Sequence, residues 1–229
     1  PSCGEKTIKE YNLITKKNSS TIQNIITNPI SFKRNEIDHN INEIVRFGYI
    51  GTINEEKGVN YLIDQILKLH AAKGINLNKR FSIIIAGSGD AQIEKNILFY
   101  SKKYSFIEYK GFIDPNSFFS SIDVLIVPSL WEDTYPTVVL ESLANFIPVI
   151  ASKLGGITEL VSDNFNGLLF NPSNGNSNEL MNVIKKLICN PSIITKMKKN
   201  IINNDDKTKK NIDDWSSQQL NLFKKIIKN

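Results

Sequence analysis

The sequence contains few of the residues on which several classes of protein depend. Its 229 residues include two cysteines, two histidines and two tryptophans. Cys3 and Cys189 lack the paired spacing of zinc ligands, so we predict no metal site and two free thiols, as in the reducing cytosol. Apolar runs fall short of the roughly 18 residues that a membrane-spanning helix needs, and residues 1–6 lack signal-peptide character. We therefore expect a cytoplasmic protein.

The positive charge is unevenly distributed. The formal net charge is +5, and lysines are frequent from residue 185 to residue 228. We interpret these lysines as solvated helix faces; the alternative is weak attraction to an anionic acceptor or to the inner face of a membrane. Because aromatic residues are not interleaved with the basic ones, we do not expect nucleic-acid binding.

Short apolar runs alternate with helical periods over most of the chain. Phe81–Ala86 and Val124–Val127 are nearly continuous apolar runs, typical of strands buried on both faces. Between such runs, apolar residues recur at helical spacing, as at Leu62, Ile66 and Leu69. The alternation predicts an α/β fold, a Rossmann-like doubly wound parallel sheet with extra C-terminal helices. Such sheets bind ligands at the carboxyl ends of their strands.

The loop after Val124–Val127 carries two acids near the start of a helix. Pro136 suits the first helical position, and the N–H groups that follow form a ready anion site. Asp133 precedes the helix and Glu141 lies one turn inside it, so both carboxylates could flank one polyhydroxyl ligand. Alternatively, Asp133 caps the helix and Glu141 is a surface acid. The spacing leaves both interpretations open.

Two other loops also follow predicted strands. Lys57, at a second helix start, can neutralise a phosphate or be an ordinary exposed lysine. The stretch Gly87-Ser88-Gly89-Asp90 allows a backbone to approach a ligand closely, although short glycine loops are common. Trp131 and Tyr135 are compatible with packing and with a ligand wall alike.

Taken in order, these segments resemble the C-terminal domain of the group 1, or family four, retaining glycosyltransferases, which have the GT-B fold. The resemblance runs from Ile44 to Asn200. It is carried by Glu55-Glu56-Lys57-Gly58, Ile84-Ile85-Ala86-Gly87-Ser88-Gly89, Ser121 to Ser129, Asp133 to Ala144 and Ala151 to Val161. It implies an enzyme that transfers a hexose-type sugar from a nucleoside diphosphate sugar to a glycan or lipid-linked acceptor, with no metal or other cofactor.

The resemblance also implies roles for individual residues. Lys57 would contact the donor diphosphate, Glu141 the ribose and Asp133 the transferred sugar, so these three are the expected catalytic residues. UDP or GDP is the expected nucleotide. The rest of the donor site would comprise Thr52, Gly87, Ser88, Phe112, Tyr135, Pro136, Thr137 and Val138.

Two departures from the family pattern bear on activity. Asp133 stands where glutamate is usual, and Thr52 replaces an arginine, which removes one of two expected cations at the diphosphate. An inactive nucleotide-sugar-binding module is therefore the alternative function. A Rossmann-type oxidoreductase is disfavoured, because Gly51-Thr52-Ile53-Asn54 lacks the glycine turn that a dinucleotide requires.

The resemblance further divides the chain into two parts. Residues 1–43 would be a linker and a remnant of the N-terminal acceptor domain, with Asn28-Pro29-Ile30 at its exit. Residues 44–229 would be the nucleotide-sugar-binding domain with a C-terminal crossover helix. A whole first domain would need more than ~100 further residues. We therefore expect a truncated form, an engineered domain or a gene remnant that binds nucleotide but transfers sugar poorly alone.

Overall fold

The computed structural model describes residues 44–72, 80–134, 136–172 and 177–204. The predicted remnant over 1–43, the predicted C-terminal crossover helix over 212–227 and Tyr135 lie outside the described residues. The described strands are β1 Val45–Ile50, β2 Phe81–Ala86, β3 Ile107–Gly111, β4 Val124–Val127, β5 Val149–Ser152 and β6 Gly167–Phe170. The described helices are α1 Val59–Ala71, α2 Ala91–Lys103, α3 Pro115–Phe119, α4 Thr137–Ala144, α5 Ile157–Leu160, α6 Glu179–Cys189 and α7 Ser192–Asn203.

The six strands form one parallel sheet in the order β3-β2-β1-β4-β5-β6. This is the doubly wound Rossmann order, so the predicted fold class is confirmed. The winding reverses between β1 and β4, which are paired through Phe47 and Gly48. Their following loops leave the sheet in opposite directions and open a crevice at its carboxyl edge.

Helices cover the sheet on both faces, because alternate strand side chains point to opposite sides. Phe47 and Ile83 contribute to a cluster with α1 and α6 on one face. Leu125 and Val149 contribute to a cluster with α3 and α4 on the other. All four residues of β4 are buried, which is why its sequence is continuously apolar.

An ion pair joins β1 and β4 at their amino ends, opposite the crevice. The Nη2 atom of Arg46 lies 2.8 Å from Oδ1 of Asp123, and its Nε donates to Oδ2 at 3.1 Å. The backbone N–H of Arg46 also donates to Oδ2, and the N–H of Asp123 donates to the carbonyl of Arg46. The strands on the two sides of the switch point are thus tied together below the site.

Most element bounds agree with the sequence predictions within one or two residues, and two differ for local reasons. The sequence predicts a helix over 93–100, and α2 starts two residues earlier because the Asp90 carboxylate accepts the N–H groups of Gln92 and Ile93. Pro136 was predicted to be the first residue of α4, and this prediction is wrong. With φ −69° and ψ 116° it is extended and occupies the N-cap position.

The extra C-terminal helices are present as predicted. Leu180, Ile184 and Leu187 of α6 are fully buried, and α6 packs against α1. Helix α7 contributes Met197 to the cluster on that face and Ile201 to the cluster on the other. Within the described ranges, the helices are too short or too polar to cross a membrane.

Candidate functional site

Two adjoining hollows of about 320 Å³ and 310 Å³ lie at the carboxyl edge of the sheet, beside the switch point. Both are lined by Thr52 after β1 and by Thr137 and Val138 at the start of α4. They are therefore two halves of one cleft. We name them by their distinguishing residues, the Lys57 half and the Glu141 half.

In the Lys57 half, Lys57 and Asp133 form an ion pair across the crevice. The Nζ atom of Lys57 lies 2.7 Å from Oδ1 and 2.8 Å from Oδ2 of Asp133. Both side chains are partly exposed, at 35% and 26%, so the pair faces the cleft and is open to solvent. The Ser129 hydroxyl adds a longer bond of 3.3 Å to Oδ2.

This pairing removes one of the two interpretations of Asp133. The N-cap residue of α4 is Pro136, and no side chain caps that helix. Asp133 therefore does not act as a helix cap, and its carboxylate is directed at Lys57 instead. The pair joins residues 76 positions apart, and sequence spacing did not indicate it.

The backbone around Lys57 is fixed by close contact with the loop after β4. Gly58 has a left-handed φ of 71°, and a Cβ at this position would lie 1.9 Å from the carbonyl oxygen of Pro128. The N–H of Leu130 donates to the carbonyl of Glu56 at 2.8 Å. The start of α1 and the acidic loop are thus held as one unit, which places the lysine opposite Asp133.

Gly155 and Gly156 pack behind the loop that carries Asp133 and support it. Gly155 has a left-handed φ of 49°, and a Cβ there would lie 2.5 Å from the carbonyl oxygen of Asp133. The N–H of Gly156 donates to that same oxygen at 2.7 Å. Neither glycine lines the cleft, so the pair positions Asp133 and does not form a wall.

The start of α4 gives both halves a polar floor. Its first N–H groups have no acceptor within the helix, as at any helix N-terminus, and no side chain caps them. Thr137 and Val138, which supply such groups, line the cleft. The positive end of the helix dipole points at the same space. This arrangement suits a phosphate group.

The Glu141 half contains the carboxylate of Glu141. Among the described residues, none donates a hydrogen bond to the Glu141 side chain, and burial raises the pKa of its carboxyl group. Asp133 and Glu141 line different halves, so the two acids flank the shared floor from opposite sides. A half-buried carboxylate facing a cavity is an acceptor for ligand hydroxyl groups.

Phe112, Gly87 and Ser88 complete the Glu141 half. Phe112 directly follows β3 and is 85% exposed, so a large aromatic ring stands free at the rim. Ser88 is exposed, whereas Gly87 is buried and its carbonyl accepts the hydroxyl of Tyr109 at 3.0 Å. An exposed ring beside a polar loop offers a surface on which a planar base can stack.

The structure therefore brings almost all the predicted site residues to one cleft. Lys57, Asp133 and Pro136 line one half and Glu141 the other, together with the residues named above. Tyr135 lies outside the described residues. Within the described ranges, no three His, Cys, Asp or Glu side chains are grouped so as to hold a metal ion.

Sequence reasoning missed Tyr49 and Ser129, which also line the Lys57 half. The Tyr49 hydroxyl donates to the carbonyl of Thr52 at 2.8 Å, which fixes the loop after β1. Burial, and secondarily the charge of Asp133, raises the pKa of Tyr49 far above its usual value, so it remains a neutral donor. Its position one residue before the end of β1 was the available signal.

Comparison with known proteins identifies the family to which the chain belongs. Residues 45–190 match the family model described as glycosyl transferases group 1. The chain is 36% identical over 165 residues to the uncharacterized glycosyltransferase MJ1178 of Methanocaldococcus jannaschii, covering 69% of the chain and 41% of that protein. It is 26% identical over 193 residues to the capsular polysaccharide biosynthesis glycosyltransferase CapM of Staphylococcus aureus, covering 79% of the chain and 49% of that protein.

A solved structure shows the same fold. The pneumococcal O-GlcNAc transferase GtfA, in complex with UDP and GlcNAc, superposes with a TM-score of 0.74 at 14% identity, over 100% of this chain and 45% of that one. At this identity the likeness speaks for the fold alone. The chain spans between about a third and a half of the length of the curated relatives that it matches first.

Proposed function

Because the chain belongs to the group 1 glycosyl transferases, we propose that its cleft binds a nucleoside diphosphate sugar whose sugar is transferred to an acceptor. The Rossmann-like sheet is the fold expected of the donor-binding half of a GT-B enzyme. One observation carries the proposal. Lys57 and the uncapped start of α4 face one cleft, and Glu141 opens into it without a hydrogen-bond donor among the described residues.

The diphosphate fits the Lys57 half and the shared floor. Its charge increases as the bond between the anomeric carbon and the phosphate oxygen breaks, and fixed positive groups stabilise that change. The Lys57 ammonium and the N–H groups of Thr137 and Val138 supply such groups. This arrangement supports transfer without a bound metal ion.

The nucleoside fits the Glu141 half. A carboxylate with no donor among the described residues can accept the two hydroxyl groups of a ribose, and the exposed ring of Phe112 can stack on the base. Ser88 and Thr52 are exposed polar residues beside them. We propose UDP or GDP as the nucleotide. Its base, ribose and phosphates would contact Phe112, Glu141 and the floor, in that order.

Asp133 then lies on the sugar side of the diphosphate. We propose that its carboxylate, once separated from Lys57, accepts hydroxyl groups of a hexose. A new bond forms between the anomeric carbon and an acceptor oxygen with retention of configuration. The acceptor would be a glycan or a lipid-linked glycan on the cytoplasmic side, bound by a domain outside the matched residues; the similarity to a capsular polysaccharide enzyme supports this class.

A thermal-shift panel with UDP, GDP, ADP and CMP tests the nucleotide site. A ligand at about 100 times its dissociation constant adds roughly 2.7 kcal/mol to the free energy of unfolding. For a chain of this length that raises Tm by several degrees. We expect a shift with UDP or GDP that Glu141→Ala abolishes and that Glu159→Ala, on an exposed acid of α5, retains. No shift with any nucleotide would contradict the proposal.

A catalytically inactive binding module is the second candidate. Thr52 is neutral, and Lys57 is the sole cationic side chain among the described residues that line the cleft. One cation gives less stabilisation of a leaving diphosphate than two. Donor hydrolysis or transfer in the wild-type chain, lost in Lys57→Ala, would argue against this candidate. Nucleotide binding without either reaction in the full-length protein would support it.

A further inference from the structure

The exposed face of α2 carries a cluster of apolar and basic side chains that the proposed function does not use. Phe99 and Leu98 are 59% and 43% exposed, among the most exposed large apolar residues described. Lys95, Lys102 and Lys103 are exposed on the same helix. Spacings of three and four residues place Lys95, Phe99, Lys102 and Lys103 on one side. We call these five residues the α2 patch.

The α2 patch has one sign of charge. Helix α2 has a single acid, Glu94, whose Oε1 accepts the N–H of Gly89 at 2.6 Å at the start of the helix. The Nζ atom of Lys103 lies 5.9 Å from the centre of the Phe99 ring and 5.2 Å from that of Tyr104. The exposed apolar side chains of Phe99 and Leu98 are therefore flanked by lysines.

From this arrangement we propose that the α2 patch docks the protein on a membrane surface rich in anionic lipid. Phe99 and Leu98 would enter the boundary between headgroups and acyl chains, and the three lysines would contact lipid phosphates while their stems follow the apolar surface. Each lysine near such a surface contributes roughly a fivefold gain in affinity. This docking is independent of the nucleotide proposal, since none of these residues lines the cleft.

A membrane fits the patch better than a second protein does. Two apolar side chains cover far less than the roughly 800 Å² that each partner buries in a stable protein interface. Lysine is also depleted at such interfaces. A lipid surface needs only a few inserted apolar groups and a positive rim.

The location of the patch gives docking a consequence. Helix α2 begins at Asp90, directly after the loop that lines the Glu141 half. Phe99 is nine residues further along, about 13 Å at the helical rise of 1.5 Å per residue. Docking would therefore hold the cleft near the lipid surface, where a lipid-linked acceptor is confined.

Vesicle co-sedimentation tests the proposal with the whole chain. We expect binding to phosphatidylcholine vesicles that contain phosphatidylglycerol and little binding to phosphatidylcholine alone. The double variant Lys102→Glu/Lys103→Glu should lower affinity by more than ~10-fold, and Phe99→Ala should lower it several-fold. The matched control is Lys196→Glu/Lys199→Glu, which changes the net charge equally at exposed positions of α7 and should retain most binding.

Depth gives a second readout. In Phe99→Trp, brominated lipid should quench fluorescence beyond the level seen in the wild-type chain. Absence of binding to anionic vesicles, or equal losses in the α2 and α7 double variants, would overturn the proposal. Self-association of the chain that Phe99→Ala abolishes, without vesicle binding, would assign the patch to a protein partner and would also overturn it.

Discussion

Lys57 and Asp133 neutralise each other in the structure, with Nζ 2.7 Å and 2.8 Å from the two carboxylate oxygens. The lysine that should meet a diphosphate therefore already has an anionic partner. A donor must compete with Asp133 for this ammonium, or the ammonium must serve both. The pair is partly exposed, so exchange does not require opening of the core.

Asp133→Asn tests this competition. Because the amide releases the positive charge of Lys57, we expect UDP or GDP to bind several-fold more tightly, while sugar transfer by the full-length protein falls at least tenfold. Isothermal titration gives the affinity and a transfer assay the rate. Weaker nucleotide binding in Asp133→Asn would contradict the competition.

Glu141 should make the empty protein less stable at neutral pH. Burial raises the pKa of its carboxyl group in the folded state, so ionisation opposes folding. The stabilising contribution of the protonated form is complete below the unfolded pKa of about 4.3 and is lost as pH rises through the higher folded value. Glu141→Gln should therefore raise Tm at pH 7 and have little effect near pH 4. An equal change in Tm at both pH values would contradict this account.

The Glu141 carboxyl group should also make nucleotide binding weaker at acidic pH. An ionised carboxylate accepts hydroxyl groups of the ribose more strongly than a protonated one. Because the pKa is raised, affinity should begin to fall at a higher pH than for an ordinary glutamate as the solution is acidified. Titrations of Glu141→Gln should not show this loss of affinity on acidification. The same pH dependence in wild type and variant would assign the titration to another group.

Gly58 should be intolerant of any side chain. Its φ of 71° disfavours alanine, and a Cβ would overlap the carbonyl of Pro128 at 1.9 Å. Gly111 offers a matched control, since its φ is 60° but nothing lies within 4 Å of a Cβ. We expect Gly111→Ala to cost about 1 kcal/mol of stability from backbone strain alone, and Gly58→Ala clearly more. Chemical denaturation measures both, and equal losses would contradict the steric argument.

Asp123 should matter for stability and not for binding. Its side chain is 2% exposed and joins β1 to β4 through Arg46. Asp123→Ala leaves several donors unpaired, which we expect to cost about 2–3 kcal/mol. Thermal unfolding checks the loss, and titration of the folded variant should give an unchanged nucleotide affinity. A large change in nucleotide affinity under conditions where the variant is fully folded would contradict this separation of stability from binding.

The sequence predicted the sheet well because buried parallel strands have a plain signal. Phe81–Ala86 and Val124–Val127 were assigned with the bounds that the structure gives. The start of α2 was missed because the capping of Gln92 and Ile93 by Asp90 is set by side-chain geometry, which apolar periodicity does not report. The predicted helical position of Pro136 was wrong by one residue, because a proline suits both an N-cap and a first turn.

The sequence predicted residues that line the candidate cleft, but not the contacts between them. Loops after parallel strands meet at one edge of a sheet, so Lys57, Asp133 and Glu141 could be assigned to one region in advance. The ion pair between Lys57 and Asp133 depends on the facing of loops 76 residues apart. The support that Gly156 gives to Asp133 depends on packing behind the loop. Neither relationship has a signal in residue spacing.

Isothermal titration of the wild-type chain, Lys57→Ala and Glu141→Ala with UDP, GDP and inorganic pyrophosphate tests the central claim most directly. We expect one nucleotide to bind the wild type, with both substitutions weakening it by about tenfold or more. Pyrophosphate should lose affinity in Lys57→Ala and keep it in Glu141→Ala, because only the lysine faces the diphosphate. A nucleotide that binds the wild type and both variants equally would show that the cleft between β1 and β4 is not the donor site.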